Sequence, residues 1–446
     1  MRNVLFRTLM AGALVVTGAV ASVVSAPANA ASKVQEVVSP GGITAYLIEA
    51  PAVPFFSLSF QFKGGASLDP DDKLGLATMV AGLLDEGAGD LDSGAFQQEL
   101  EDKAIRLSFS AERDNFTGRL KTLTKNKARA GELLKLALTE ARFDDEPVER
   151  VRSQLIAAAK RRSEDPNQLA SSAFFETAFP DHVYGRERRG TVETLRAITV
   201  DDLRAFEAER LAKDNLLIGV AGDISAEDLG VYLDEVFGSL RDAAAPVDIA
   251  DIEPQGQGTV VVDKAVPQSV VSFGQAGFAR KHPDFYTAYV ANHILGGGGF
   301  SSRLMDEIRE KRGLAYGAYS YLAPLDHAPL WMGGVATNNA DVAESIRLVK
   351  QEVGRMAAGD ISQEELDDAK TFLTGSFPLR LTSNDQVAQM LVGMQDADLG
   401  ANYIEERNGF IDAVTLQDVK RVAAELYDPE ALLFVVVGQP KGLLPG

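Results

Sequence analysis

Short apolar runs separated by polar, turn-forming stretches recur along this chain, and two of the runs belong to a repeat. Residues 216–222 and 432–438 are apolar and end at a glycine, a pattern that predicts a buried strand. Each run follows a segment that opens with Thr-x-x-Asp, at Thr199 and at Thr415, which is the spacing of a helix-opening cap. Thr199 and Thr415 are 216 positions apart, as are the two glycines, so the sequence predicts two homologous halves.

The front parts of the two halves also correspond. Each half contains a strand, a helix with many small residues and a later helix, predicted at 55–62, 74–84 and 146–162 in the first half and at 269–273, 286–295 and 361–373 in the second. Ser362 and Glu365 again have the capping spacing. Residues 242–258 hold Pro246 and Pro254 without clear periodicity, and they are predicted to be the linker.

The order of these elements predicts the fold class. Strands and helices alternate within each half, but several strands are joined by hairpin-length turns, which favours helices on one face of a mostly antiparallel sheet. We therefore expect an α+β fold with an N-terminal domain at residues 31–245 and a C-terminal domain at 246–446.

The N-terminus has the pattern of an export signal. Arg2 and Arg7 form a short basic segment, an apolar stretch follows from residue 9 to about 24, and Ala28-Asn29-Ala30 offers a cleavage site between small residues. We expect residues 1–30 to be a signal peptide and the mature chain to lie in a bacterial periplasm, with a retained anchor as the alternative. The absence of Cys fits an oxidising compartment.

Composition and charge exclude some classes of partner. The chain has 446 residues, 46% of them hydrophobic and 24% charged, which is typical of a globular protein. Its formal net charge is −20, which argues against binding to nucleic acid or to an anionic membrane surface. The same charge would attract basic peptides, although solubility alone also explains it.

An Arg and a Tyr seven residues apart are the strongest candidates for chemistry. Arg309 and Tyr316 lie in the run Gly-Gly-Gly-Gly-Phe-Ser-Ser-Arg-Leu-Met-Asp-Glu-Ile-Arg-Glu-Lys-Arg-Gly-Leu-Ala-Tyr, residues 296–316. Gly313 is expected to cap a helix that carries Arg309, and Tyr316 to lie early in the strand that follows. The spacing alone favours a solvated helix face followed by a core strand, and only the surrounding sequence favours a role in substrate binding.

The whole of this run resembles the substrate-binding segment of the pitrilysin, insulin-degrading enzyme and mitochondrial processing peptidase family. The resemblance covers nearly the whole mature chain and implies two halves that together form one half of a clamshell around a peptide-sized chamber. It also implies that Arg309 and Tyr316 contact the peptide backbone across that chamber. Gly297 and Gly298 could allow a peptide backbone to approach closely, and a simple tight turn is the alternative.

In the same family, a helical His-x-x-Glu-His and a distal Glu bind zinc. The matching positions here are Thr78, Ala81 and Gly82, in which Thr78 and Gly82 replace the two His and Ala81 replaces the catalytic Glu. The position of the distal Glu matches Ala157 or Ala158. None of these side chains can bind zinc or act as a general base, so no metal is expected in this chain.

Other clusters of polar residues are given structural interpretations. The chain has four His, and no two of them are four positions apart. His293, on an apolar helix face, is interpreted as a core residue. The acidic runs 69–72 and 85–92 lack a calcium-loop pattern and are interpreted as a solvated surface. Ser302 and Arg303 are expected to shape the turn that precedes Arg309.

These observations lead to one main hypothesis and one alternative. The main hypothesis is a zinc-free subunit of a heterodimeric periplasmic zinc endopeptidase, inactive alone. A homologous partner would bind the zinc, and Arg309 and Tyr316 would act on a peptide substrate in the partner's site. The alternative is a catalytically inactive scaffold or a peptide- or protein-binding protein of the same fold, and an unrelated activity in the chamber is a third possibility. After signal cleavage, neither hypothesis involves a membrane.

Overall fold

The computed structural model describes residues 33–246 and 248–443 of the chain. The predicted signal peptide at 1–30 therefore lies outside the described residues. Eleven strands form two sheets in the described part: β1 (Gln35–Val38), β2 (Thr44–Glu49), β3 (Phe55–Lys63), β4 (Arg106–Ala111), β5 (Asn115–Leu123), β6 (Leu216–Gly222), β7 (Gly258–Asp263), β8 (Gln268–Ala276), β9 (Ala315–Pro324), β10 (Pro329–Asn338) and β11 (Leu433–Gly438).

Both sheets are mostly antiparallel. The first has the order β1-β2-β6-β3-β5-β4 and the second the order β7-β11-β8-β10-β9. Each contains a single parallel pair, β2 with β6 in the first sheet and β7 with β11 in the second, and this pair involves the strand of the repeat in both cases. The predicted α+β fold of two homologous halves is confirmed, and β4 and β9 are edge strands.

Fifteen α-helices accompany the sheets in the described residues. They are α1 (Leu76–Ala81), α2 (Ser93–Asp102), α3 (Lys127–Thr139), α4 (Asp145–Arg162), α5 (Pro166–Ala178), α6 (Val192–Ala197), α7 (Val200–Arg210), α8 (Ala226–Phe237), α9 (Phe285–Asn292), α10 (Arg303–Met305), α11 (Val342–Ala357), α12 (Gln363–Gly375), α13 (Asn384–Asp396), α14 (Tyr403–Asp412) and α15 (Leu416–Leu426). None of these helices is long and apolar enough to cross a membrane.

The predicted helix caps are present. Thr199 accepts from the N–H of Asp202 and Thr415 from that of Asp418, and each Asp side chain accepts the N–H of its Thr in return. Ser362 forms the same reciprocal pair at the start of α12. Such caps satisfy N–H groups that a helix N-terminus leaves without partners. The repeat seen in the sequence therefore corresponds to repeated local structure.

Each half contributes a helix to the other half's sheet, which the sequence analysis did not foresee. α5, from the first half, packs on β8 and β11, where Phe174 and Ala178 contact Leu433 and Val435. α13, from the second half, packs on β2, β3 and β6. The expectation of helices on one face only was therefore wrong, because the second apolar face of each sheet also has to be buried.

The predicted linker is irregular but not detached from the rest of the chain. No strand or helix is present between α8 and β7 in its described residues. Its backbone is held at two points: Ile252 donates to the carbonyl of His327 (2.9 Å) and Gln255 to that of Ala178 (2.7 Å). The exact domain boundary near residue 245 stays a prediction.

Candidate functional site

Arg309 lies half-buried between the exposed rings of Phe300 and Tyr316 in the second half, and we call this group the Arg309 cluster. The guanidinium carbon of Arg309 lies 4.7 Å from the ring centre of Phe300 and 4.8 Å from that of Tyr316. Tyr316 is 83% exposed and Phe300 is 66% exposed. Two aromatic faces hold the guanidinium in place while its N–H groups remain in reach of a ligand. The structure thus brings together the two residues that the sequence predicted and adds Phe300.

The helix that carries Arg309 is widened at its end. Asp306–Glu310 forms a π-helical turn, in which the N–H of Lys311 donates to the first carbonyl of that segment at 2.9 Å. The fully buried Leu304 and Ile308 anchor the helix in the core of the second half. Turns of π-helix are frequent at functional sites because they displace a side chain from its regular position.

Gly313 ends this helix in the predicted cap role. Its φ angle is +64°, in the left-handed region that glycine adopts without strain. The N–H of Gly313 donates to the carbonyl of Arg309 (2.8 Å) and the N–H of Leu314 to that of Ile308 (2.9 Å). The first of these bonds is the 5→1 bond of an αL cap, which ends the helix and reverses the chain at Gly313.

Tyr316 owes its exposure to an irregularity in β9. Gly317 pairs with Ala336 and Ala315 pairs with Thr337, so Tyr316 is the extra residue of a β-bulge. Bulges redirect a side chain relative to the regular alternation of a strand. The bulge turns Tyr316 into solvent, beside the last turn of the helix that carries Arg309.

The turn before this helix is fixed by hydrogen bonds, as predicted for Ser302 and Arg303. The hydroxyl of Ser302 donates to the carbonyl of Gly299 (2.7 Å). Arg303 donates to both carboxylate oxygens of Glu365 on α12, at 2.7 and 2.8 Å. This two-point contact attaches the turn to a neighbouring helix and leaves Arg303 committed to a structural role.

The remaining basic residues of the segment are less available than Arg309. Lys311 and Arg312 both hydrogen-bond to Glu307, and these bonds lower the pKa of that carboxyl below its usual value. The ion pair of Arg309 within the described residues is with its chain neighbour Glu310, at 3.3 Å between Nε and Oε1. Exposed pairs of this kind are worth little, so Arg309 can exchange that partner for a ligand.

The glycines before the cluster are required by the packing of the chain itself. A Cβ atom on Gly297 would lie 2.7 Å from the side-chain nitrogen of Asn292, and one on Gly298 would lie 2.8 Å from the carbonyl oxygen of His293. These distances support the tight-turn interpretation. A direct contact of Gly297 or Gly298 with a peptide stays a prediction.

Two further aromatic residues follow Tyr316 along the edge strand β9. Tyr319 is 55% exposed and Tyr321 is 44% exposed, and their rings stack with centres 6.3 Å apart. Between and before them, Ala318 and Ser320 are buried. Tyr319 and Tyr321 were not among the predicted site residues, although the period-two alternation of residues 318–321 is a signal for them in the sequence.

The helix that would carry a zinc motif is present, but its side chains do not fit a metal. Thr78 and Ala81 lie on α1, and Gly82 directly follows it. The hydroxyl oxygen of Thr78 is buried without a hydrogen-bond partner among the described residues. The neighbouring helix α4 places Ala157 and Ala158, two methyl groups, at the position of the distal ligand. No oxygen or nitrogen donor set therefore exists at this position.

The polar group that holds α1 is Asp69, and here the expectation of a solvated acidic run was wrong. Asp69 is 1% exposed, accepts from the N–H groups of Gly75 and Ala77, and pairs with Arg210 at 3.0 Å. Burial raises the pKa of Asp69 to about 6, against the opposing effect of Arg210. The carboxylate is buried because it satisfies N–H groups at the start of α1. Asp71 of the same run is exposed, as expected.

The histidines form no metal site in the described residues. His293 is buried and stacks on Phe372 with ring centres 5.0 Å apart, and burial lowers its pKa. His182 and His327 both contact the linker, at Ala250 and Asp251. No group of three or more His, Asp or Glu residues is placed to hold a metal in residues 33–246 and 248–443. The structural interpretation of His293 agrees with these contacts.

Comparisons with known proteins are consistent with this arrangement. Residues 197–373 match the family model described as peptidase M16 inactive domain. The chain is 31% identical over 330 residues to the non-peptidase homolog YmxG of Helicobacter pylori, which covers 74% of this chain and 76% of that protein. It is 24% identical over 435 residues to a probable mitochondrial-processing peptidase subunit beta of Schizosaccharomyces pombe, covering 93% of each.

Among solved structures, the chain is similar to a peptidase M16 inactive domain from Pseudomonas fluorescens. The TM-score is 0.86 at 28% sequence identity, and the match covers 92% of this chain and 100% of that one. The similarity therefore extends over both sheets and over the helices that cross between them.

Proposed function

The chain belongs to the M16 peptidase family, and from this premise we propose that it is the non-catalytic subunit of a heterodimeric zinc endopeptidase of the periplasm. A homologous partner supplies the metal site. This chain supplies Arg309 and Tyr316, which contact the peptide while the partner cleaves it. The proposal explains why the metal positions are lost in a chain whose Arg309 cluster is intact.

The observation that carries the proposal is the geometry of the Arg309 cluster, in which a partly exposed guanidinium lies between two exposed rings. An arginine fixed between two exposed rings, with a weak ion pair as its acidic contact in the described residues, contributes little to folding. Its guanidinium can donate to peptide carbonyl oxygens, and the phenol of Tyr316 can donate to an oxygen that gains charge during hydrolysis. The arrangement suits a ligand that comes from outside this chain.

The edge strand β9 supports a peptide as that ligand. One side of an edge strand carries unpaired backbone N–H and C=O groups, which can pair with an extended peptide. Tyr319 and Tyr321 add exposed aromatic surface along the same strand. The net charge of −20 favours a peptide with basic residues.

The first experiment is a gentle purification of the tagged chain from native periplasm, with protein identification, zinc analysis and a peptide cleavage assay on the same sample. We expect a stoichiometric M16 homologue that carries His-x-x-Glu-His, with one zinc per pair and measurable hydrolysis. A chain found only outside the periplasm, or purified without such a homologue, would contradict the proposal.

The second experiment tests the role of Arg309 within that complex. Arg309→Ala should lower the rate of hydrolysis by about a hundredfold or more, as removal of one transition-state donor typically does. Arg347→Ala is the matched control, because Arg347 is an exposed arginine of α11 paired with Glu344. Full activity of the Arg309→Ala complex would exclude the proposed role.

A second candidate function is a scaffold that binds a peptide or protein without cleavage. The similarity to a relative described as a non-peptidase homolog favours it. In that case the isolated chain would bind peptides tightly, Arg309→Ala would weaken the binding, and no metallopeptidase homologue would be found in its complexes.

A further inference from the structure

A separate cavity of about 220 Å³ lies in the second half, where α9, α13 and α14 meet the turn of residues 377–381. Three arginines line it: Arg280, Arg380 and Arg407. Most of the remaining lining is aromatic, and no member of the Arg309 cluster takes part. The cavity is therefore separate from the proposed peptide-binding residues, and its role does not depend on the proposed peptidase function.

The charge in this cavity is unbalanced. No Asp or Glu lines it, and within the described residues none of the three arginines forms an ion pair with a carboxylate. The chain as a whole has 64 acidic and only 44 basic Lys and Arg residues, so unpaired arginines are unexpected in it. Three converging cationic groups create a positive potential inside a strongly negative protein.

In another arginine-rich cavity of the chain, arginines are paired with carboxylates of the protein. It is lined by Arg113, Arg186, Arg188 and Arg189, but it also contains its own carboxylates. Arg186 pairs with Asp71 at 2.6 Å, and Arg188 pairs with the adjacent Glu112 at 2.6 Å. Two arginines of that cavity are thus paired with carboxylates of the protein itself, whereas none of Arg280, Arg380 and Arg407 is paired in this way in the described residues.

Arg407 is the most costly of the three to bury. It is 4% exposed, and it donates through Nη1 to the carbonyl of Leu373 (2.7 Å) and to the side-chain oxygen of Asn408 (2.9 Å). Its guanidinium also lies 4.6 Å from the ring centre of Phe377. A buried charge without an opposite charge is destabilising, and one cation–π contact offsets only part of that cost.

Arg280 is oriented by aromatic groups rather than by a carboxylate. Its guanidinium lies 4.3 Å from the ring centre of Phe285, and its Nη2 donates to the hydroxyl of Tyr286 at 2.9 Å. The guanidinium also lies 5.9 Å from the ring centre of Tyr403, and burial raises the pKa of that phenol to about 12. The phenol of Tyr403 therefore stays protonated near neutral pH and can donate to an anion.

We propose that this cavity is a binding site for a small organic anion, a carboxylate carried on an aromatic or apolar body. The carboxylate would accept from Arg407 and Arg280 on the inside, with the exposed Arg380 at the mouth. A planar carboxylate matches the two-point geometry of a guanidinium. The aromatic lining would pack against the body of the ligand, and the volume restricts the ligand to a small molecule.

The test is a calorimetric titration of the whole mature chain, without the predicted signal peptide, at constant ionic strength. The probes are 3-phenylpropionate, its neutral amide and inorganic phosphate. We expect saturable binding of one 3-phenylpropionate per chain, with the amide and phosphate each at least tenfold weaker. Equal affinity for the acid and the amide, tighter binding of phosphate, or no saturable binding of the acid would each overturn the proposal.

Variants assign the binding to the cavity. Arg380→Ala changes an exposed side chain and should fold normally, and Arg280→Gln keeps a hydrogen-bond donor but removes the charge. Each should weaken 3-phenylpropionate binding at least tenfold. Arg347→Ala, which removes the same charge from a distant surface, should leave the affinity unchanged. Unchanged affinity in both cavity variants, or an equal loss in the control, would exclude this site.

Discussion

The helix α1 and the Arg309 cluster are opposite in how their polar groups are used. Near α1 the buried carboxylate of Asp69 is paired with Arg210, and the positions that match the family's zinc motif carry no usable donor. In the Arg309 cluster the two rings are exposed and Arg309 is partly exposed, and its ion pair within the chain is weak. The contacts near α1 therefore stabilise the fold, whereas those of the Arg309 cluster contribute little to its stability.

This difference distinguishes residues that stabilise the fold from residues that are available to bind a ligand. A buried charge that satisfies a helix start must be kept for folding, whether or not the helix carries catalytic residues. Exposed side chains such as Phe300 and Tyr316 have no comparable role in stability. Substitutions at the two places should therefore affect different measurements, in the following order of size.

The largest effect is expected from Asp69→Ala. It leaves Arg210 buried without its partner and removes the acceptor for two N–H groups of α1, so the free energy of unfolding should fall by about 3–5 kcal/mol. Asp71→Ala, a change of the exposed neighbour, should cost less than about 1 kcal/mol. If urea denaturation showed equal losses of unfolding free energy in the two variants, the buried pair of Asp69 and Arg210 would not be more important than the exposed Asp71.

The second effect concerns pH. Burial raises the pKa of Glu207, on α7, to about 7 from 4.5. Because the folded state holds this proton more tightly than the unfolded state, its contribution to stability falls as pH rises from about 4.5 to 7, by on the order of 2 kcal/mol. Glu207→Gln should flatten the dependence of unfolding free energy on pH in this window. An unchanged slope would contradict the assignment.

In the second half, the pKa of Glu307 is shifted in the opposite direction, to below its usual value. Lys311 and Arg312 lower its pKa, so its stabilising contribution is present above its unfolded pKa and is lost as pH falls through the lowered value. Glu307→Gln should therefore leave the slope between pH 4.5 and 7 nearly unchanged, and it serves as the control for Glu207→Gln.

The third effect concerns the cap between Arg309 and Tyr316. Gly313→Ala places a side chain at a φ of +64° and should lower the unfolding free energy by about 1–2 kcal/mol. Gly393→Ala is the matched control, since Gly393 lies within α13 with open space around it and should gain up to about 1 kcal/mol. Loss of stability in both variants would show that the cap conformation is not the cause.

The fourth effect is a gain. The buried hydroxyl of Thr78 has no hydrogen-bond partner among the described residues, so Thr78→Val should raise the unfolding free energy by about 1 kcal/mol. It should not change peptide hydrolysis by the purified complex. A loss of activity would instead show that this position still has a role in catalysis.

The smallest change in stability is expected from Tyr316→Ala. Because Tyr316 is 83% exposed, the unfolding free energy of the variant should stay within about 0.5 kcal/mol of that of the parent protein. Binding or hydrolysis of peptide should be impaired. Thermal unfolding and peptide assays on the same preparation measure both. A destabilisation of more than about 1 kcal/mol would identify Tyr316 as a structural residue and would weaken the contrast with α1.

The sequence by itself determined the features that depend on neighbours in the chain. The capping pairs at Thr199, Ser362 and Thr415, the cap at Gly313 and the strands of the repeat all follow from local hydrogen bonds and hydrophobic periodicity. The loss of metal donors at Thr78, Ala81 and Gly82 could also be read directly, because it is a matter of residue identity.

Only the tertiary structure decided the features that join distant segments. The exchange of α5 and α13 between the two sheets, the stacking of Phe300 on Arg309 and the bulge that exposes Tyr316 depend on pairing across the fold. The burial of Asp69 depends on Arg210, more than a hundred residues away. Such contacts form because apolar faces and charged groups must find partners in three dimensions, and no local pattern specifies which partner that is.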